Sequence, residues 1–156
     1  MMNSTHLRRQ AQQAARTELA RRAAARDGLL DFTRYTMPDY QAGAHHHLLC
    51  DKLDAVERGA ITRLMVFMPP RHGKSELTSK RFPAWYLGRN PNRQAVCASY
   101  GASLAQDFGR DVRNLVASRR FNSLFPTVTL AADSSAKDAW HTAQGASTPA
   151  WASAAG

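Results

Sequence analysis

Apolar residues recur along this chain with two periods, and the change from one to the other marks its elements. Residues 6–26 are rich in Ala, Gln and Arg, contain no Pro or Gly, and place Glu18 four residues before Arg22. That composition and that pair predict a helix. Its apolar content is mostly alanine, so it buries little area and reads as a solvated basic arm, closed by Asp27-Gly28. Residues 29–37 set Leu29, Leu30, Phe32 and Tyr35 at helical spacing. Pro38 ends that segment, because a proline disfavours helix in the residue before it. Residues 45–58 carry a second stripe, Leu48, Leu49, Leu53 and Val56, with Gly59 at the stop.

The period then shortens. Residues 64–68, Leu-Met-Val-Phe-Met, are a continuous apolar run that predicts a short buried strand. A helix is expected over 74–88, bent or broken at Pro83. Residues 94–99 read as a second buried strand. Residues 102–118 form an amphipathic helix with Leu104, Ala105, Phe108, Val112 and Leu115 on one face. A further short strand fits 128–130. Strand, helix, strand, helix in this order predicts a parallel α/β layer.

Between the first strand and its helix lies Pro69-Pro70-Arg71-His72-Gly73-Lys74-Ser75-Glu76. A strand, a tight loop, Gly-Lys-Ser and a helix form a physical recipe for gripping a nucleoside triphosphate. Backbone N–H groups of the loop and the helix N-terminus point at phosphate oxygens, where the helix dipole favours negative charge. Lysine adds a mobile cation, and a serine hydroxyl can complete a Mg²⁺ coordination sphere. The match to G-x-x-x-x-G-K-[ST] is incomplete, since the first glycine position holds Met68.

Composition narrows the partners. The 156 residues carry a formal net charge of +9, which favours a polyanion, either nucleic acid or an anionic surface. No apolar run approaches the ~20 residues of a membrane span, and the N-terminus lacks the apolar core of a signal peptide. A cytosolic location is the expectation, although an Arg- and Ala-rich start also fits a mitochondrial transit peptide. Cys50 and Cys97 lie far apart without C-x-x-C spacing, so neither a disulfide framework nor a zinc knuckle is suggested. His45-His46-His47 invites a metal reading, but adjacent helical residues point about 100° apart, which argues against convergence on one ion. The expectation is a helix start with solvent-facing imidazoles.

The run 40–126 resembles the N-terminal ATPase region of the large terminase subunit, the DNA-packaging motor of tailed bacteriophages. The residues that carry the likeness are His45-His46, the run 63–76, Phe82-Pro83-Ala84-Trp85, Gly88-Arg89-Asn90-Pro91, Ala98-Ser99-Tyr100 and Leu124-Phe125-Pro126. The resemblance implies an incomplete parallel-sheet P-loop NTPase of α/β class preceded by N-terminal helices. It implies a deviant P-loop in which Arg71 stabilises charge at the γ-phosphate, as cations do in phosphoryl transfer. Pro70, His72, Gly73, Lys74, Ser75 and Glu76 would hold ATP, with Lys74 on the β/γ-phosphates and Ser75 on Mg²⁺. Gln41 would lie on the adenine side, and Ser99 and Tyr100 would couple the nucleotide site to DNA. Implied partners are double-stranded DNA, the small terminase subunit and the capsid portal, in the bacterial cytoplasm and without a membrane.

The likeness covers only the front part of such a motor. The family's ATPase and endonuclease activities need an apolar strand ending in acids and a cluster of carboxylates. After Asp111 the only acids are Asp133 and Asp138, neither following an apolar strand. The expected organisation is a basic arm over 1–37, a partial ATPase domain over 38–142 and a disordered tail over 143–156, in a truncated product that binds ATP without turning it over. Two other readings stand beside it: a basic nucleic-acid-binding module indifferent to nucleotide, and an unfolded prophage relic.

Overall fold

The computed structural model describes residues 4–96, 98–99, 101–131, 140–143 and 147–148. Helices dominate: α1 (Ser4–Asp27), α2 (Leu29–Thr36), α3 (Ala44–Glu57), a π-helical segment (Glu76–Arg81) running into α4 (Phe82–Arg89), α5 (Ala102–Val116) and α6 (Arg119–Leu124). The first half of α1 is exposed on all sides, as its alanine-rich composition dictates. Its second half folds against α2 around Gly28. Tyr35 donates to the Glu18 carboxylate at 2.8 Å, and that carboxylate also holds Arg22 at 2.8 Å. Gly28 has no side chain to cap α2, so Asp54 of α3 does it, accepting from the Leu29 N–H at 3.0 Å. Burial pushes the Asp54 carboxyl up, partly offset by that bond.

One core joins these helices. Leu29 and Phe32 of α2, Leu49 and Leu53 of α3, Leu77, Trp85 and Leu87 of the central helix, Val112 and Val116 of α5, and Phe121 and Leu124 of α6 all pack in it. Phe32, Phe121 and Phe125 form an aromatic triad with centroids 5.1–6.3 Å apart. Gly88 makes room for Phe125, because a Cβ there would meet the ring at 2.5 Å. Pro83 is accommodated without ending the helix. Lacking an N–H and crowding the carbonyl four residues back, it sits in the first turn of α4, directly after the wider π segment.

The expected parallel sheet is not there. Among the described residues the paired strands are β1 (Trp140–His141) and β2 (Ser147–Thr148), antiparallel, extended by a bridge between Leu130 and Thr142. The chain is therefore a helical assembly with a small antiparallel ribbon, and the α/β P-loop architecture is corrected. Residues 64–68 are neither helix nor strand, and none of their backbone groups pairs with another backbone group among the described residues. The run keeps the period of two: Leu64, Val66 and Met68 pack against the core, while Met65 and Phe67 are 80% and 84% exposed. Of the expected strand 94–99, residues 94–96 likewise form no strand, with Val96 exposed, and Ser99 makes an isolated bridge. Both runs have the composition of strands, but a strand needs a hydrogen-bonded neighbour, and the described chain brings none beside residues 64–68 or 94–96.

The expected tail contributes Ser147 and Thr148 to the ribbon; residues 149–156, with Cys97 and Tyr100, lie outside the described residues. Cys50 is buried, and burial pushes its thiol up to about 12. No described helix is long and apolar enough to cross a membrane.

Trp85 is wholly buried, and its indole N–H donates to the Arg26 carbonyl at 3.0 Å. Trp85→Ala is expected to cost about 3–5 kcal/mol, read as a lowered midpoint in urea denaturation.

Candidate functional site

The loop of residues 70–75 turns sharply at two positions with left-handed backbone, Arg71 at φ 62° and Gly73 at φ 78°. Glycine adopts that conformation freely; for arginine it costs about 1–2 kcal/mol. The helix begins at once after Gly73. Its first backbone bond runs from the Leu77 N–H to the Gly73 carbonyl at 3.1 Å, so Gly73 stands at the N-cap. The N–H groups of Lys74, Ser75 and Glu76 precede that bond and belong to the turn left without intrahelical acceptors. The Lys74 and Ser75 side chains are exposed on this turn, as are Pro70, Arg71 and His72. Thr78 closes the turn by donating to the Lys74 carbonyl at 2.9 Å.

The loop rests on the start of α3. His46 is the third residue of that helix, and its Nδ1 accepts the N–H of the N-cap Gly43 at 3.0 Å. This is one half of a capping box, with histidine where Glu or Gln is usual. An Nδ1 that accepts leaves the proton of the neutral ring on Nε2. That nitrogen lies 3.0 Å from the His72 carbonyl, so His46 donates across to the loop. His72 turns its own Nδ1 toward the Pro70 carbonyl at 2.8 Å. His45 stacks beside His46 with ring centroids 3.9 Å apart, and its Nε2 is 3.0 Å from His46 Nε2. Lost hydration, then the His46 and His72 rings, hold the His45 imidazole below its ordinary value.

His45 and His46 thus meet, while His47 departs toward Arg34 at 3.5 Å, so the three rings do not gather at one point. A metal on His46 Nε2 would need the proton on Nδ1, against the Gly43 N–H. Among the described residues no group of three or more His, Cys, Asp or Glu is arranged to hold a metal ion. Mg²⁺ needs no such group, since it is held through one or two protein oxygens plus substrate phosphates. The exposed Ser75 hydroxyl fits that limited part.

Pro70, Arg71, His72, Gly73, Lys74 and Ser75 are brought together by the loop itself. Glu76 is not free for it. Its carboxylate is paired with Arg81 at 2.7 Å and Lys80 at 3.5 Å, and Lys80 continues to Asp111 at 2.8 Å. The Asp111 bond is the chief cause holding the Lys80 ammonium above its ordinary value. This network lines a cavity of about 460 Å³ with Thr36 and Arg120. Lys74 instead borders an apolar cavity of about 400 Å³ with Val56, Leu64, Val66 and Phe82. Gln41 is exposed, in the segment that leads into α3. Ser99 is half-buried and Tyr100 lies outside the described residues.

His45 and His47 are solvent-facing, as expected for some of these imidazoles, whereas sequence reading assigned His46 no role at the loop. The available signal was Gly43-x-x-His46, an N-cap glycine followed at the third helical position by a side chain able to reach back.

A Cβ at Gly73 would lie 2.6 Å from His46 Nε2 and demand left-handed backbone of an ordinary residue. Gly73→Ala is expected to destabilise the fold by about 1–2 kcal/mol and to displace the His46 ring, read by chemical denaturation and by the His46 imidazole NMR signals. No family model, no curated protein and no solved structure matches this chain.

Proposed function

We propose that the loop of residues 70–75 binds the phosphates of ATP with Mg²⁺, as the nucleotide-binding part of a DNA-packaging motor of the large-terminase type. The observation that carries the reading is local. The left-handed turn at Gly73 starts a helix whose first N–H groups have no backbone acceptor among the described residues, beside the exposed Lys74 and Ser75. Such a turn favours anions through its free donors and its dipole. Lys74 supplies the cation for the β/γ-phosphates, and Ser75 an oxygen for Mg²⁺. Arg71 adds a second mobile cation to the same turn, assigned on this reading to the γ-phosphate. The proposal rests on this loop and its residue types and does not call on a sheet.

Nucleotide binding is the activity proposed for this loop. Double-stranded DNA, a small terminase subunit and a capsid portal are the proposed partners, in a bacterial cytoplasm. The charge of +9 supports a polyanionic partner and also favours the second reading, a nucleic-acid module whose Gly-Lys-Ser meets only backbone phosphate.

Isothermal titration with MgATP separates the two. Lys74→Ala is expected to weaken MgATP binding by about ten- to a hundredfold, the worth of one hydrogen bond to a charged group. Wild-type protein that binds DNA with strong salt dependence but takes up no MgATP supports the second reading and removes the first.

A further inference from the structure

We propose that His46 is a positioning residue for the 70–75 loop, and that it holds the loop only as the neutral Nε2–H tautomer. The inference comes from hydrogen-bond polarity at two ends of one ring. At Nδ1 the partner is a donor, the Gly43 N–H at 3.0 Å. At Nε2 the His72 carbonyl is an acceptor at 3.0 Å, and His45 Nε2, also at 3.0 Å, meets the same nitrogen and can only accept when the His46 proton lies there. A neutral ring protonated at Nε2 satisfies both, a ring protonated at Nδ1 satisfies neither, and an imidazolium opposes the Gly43 N–H. The ring is 9% exposed, so water does not readily replace a lost partner. His46 therefore bridges the N-cap of α3 to the residue before Gly73, and its ring fills the space that a Cβ on Gly73 would need.

The groups that face the ring come from three segments. Facing His46 are the Tyr40 ring from the preceding loop at 5.4 Å, His45 from its own helix, and His72 from the phosphate loop. Burial pushes the Tyr40 hydroxyl up to about 12, so it is uncharged. Arg71 and Lys74 flank the same loop as cations, and Glu76 is neutralised by Arg81 and Lys80. His45 has a lowered folded value, so the unfolded chain takes up its proton first. The stability His45 contributes is complete above its unfolded value and declines as pH falls through it. Acid thus acts on the two rings in the same direction: the neutral pair is lost and the ring is pushed off the Gly43 N–H, which unseats the anchor of the loop on α3. For nucleotide the consequence, which rests on the ATP reading, is a loop whose shape for MgATP is lost on acidification.

The test uses the full chain without nucleotide, so its failure is separate from failure of the ATP reading. ¹⁵N-histidine NMR at pH 8 should show His46 protonated at Nε2 alone. As His46 takes up its second proton, exchange at the Gly43 amide, corrected for intrinsic rates, should become roughly five- to tenfold faster. The ¹³C signal of the His72 carbonyl, which accepts from His46 Nε2, should move in the same step. His46→Gln, whose amide N–H₂ reaches where Nε2 does, should keep that carbonyl bonded and remove the pH dependence of its signal. His46→Ala should show the unbonded carbonyl signal at every pH while the helical circular dichroism stays; if this variant does not fold, the wild-type titration decides. An Nδ1–H tautomer at pH 8, or Gly43 exchange and a His72 carbonyl signal unchanged through the His46 titration, overturns the proposal.

Discussion

The carbonyl of Arg26, at the end of α1, is the acceptor on which the helical assembly turns. Trp85 donates to it at 3.0 Å and Arg89 at 2.8 Å, both from α4. The α1 C-terminus leaves carbonyls without intrahelical donors, so these bonds satisfy a group that burial would otherwise penalise. Arg89 also reaches the Glu57 carboxylate at 2.9 Å, and its guanidinium lies 5.2 Å from the centre of the Trp85 ring. Glu57 is 7% exposed, so the pair is better insulated from solvent than a surface ion pair. Arg26 itself donates to the Leu124 carbonyl at 2.8 Å, bringing in the end of α6. Helices that begin and end far apart in the chain are thereby registered at one corner of the molecule.

From that corner the central helix runs back to the loop, which explains how a turn of mostly exposed residues keeps its shape. Leu77 is wholly buried one turn after Lys74, and the Glu76–Arg81–Thr36 contacts bind the same turn to α2. His46 holds the other side. The loop is thus positioned by two helix starts, its own and that of α3, each of which has unsatisfied N–H groups to place. At α3 a buried imidazole takes one of these donors. At residues 74–76 they have no backbone acceptor among the described residues.

Residues 64–68 show why a strand is harder to read than a helix. A helix satisfies its backbone within its own sequence, so α5 follows from its apolar face: Ala105, Val112 and Val116 are buried and Leu115 half-buried, much as the period requires. Leu64 to Met68 has the alternation of a strand and even buries one side, but its backbone partners must come from elsewhere. The same limit applies to residues 94–96. Composition and period are properties of a segment, whereas a sheet is a property of several.

The sequence alone determined the helices α1 to α5, their stops near Gly28, Pro38 and Gly59, and the clustering of Pro70 to Ser75 in one turn. Each depends on residues a few positions apart, where propensity and backbone geometry act directly. Tertiary structure decided what lay across the chain: the missing sheet, the Asp54 cap on α2, the withdrawal of Glu76 to Arg81, and the burial of His46 between Gly43 and His72. These depend on which surfaces meet once the core has formed. The Gly-Lys-Ser turn belongs to both, for its residues were legible in order, but the ring that holds it comes from a helix some thirty residues earlier in the chain.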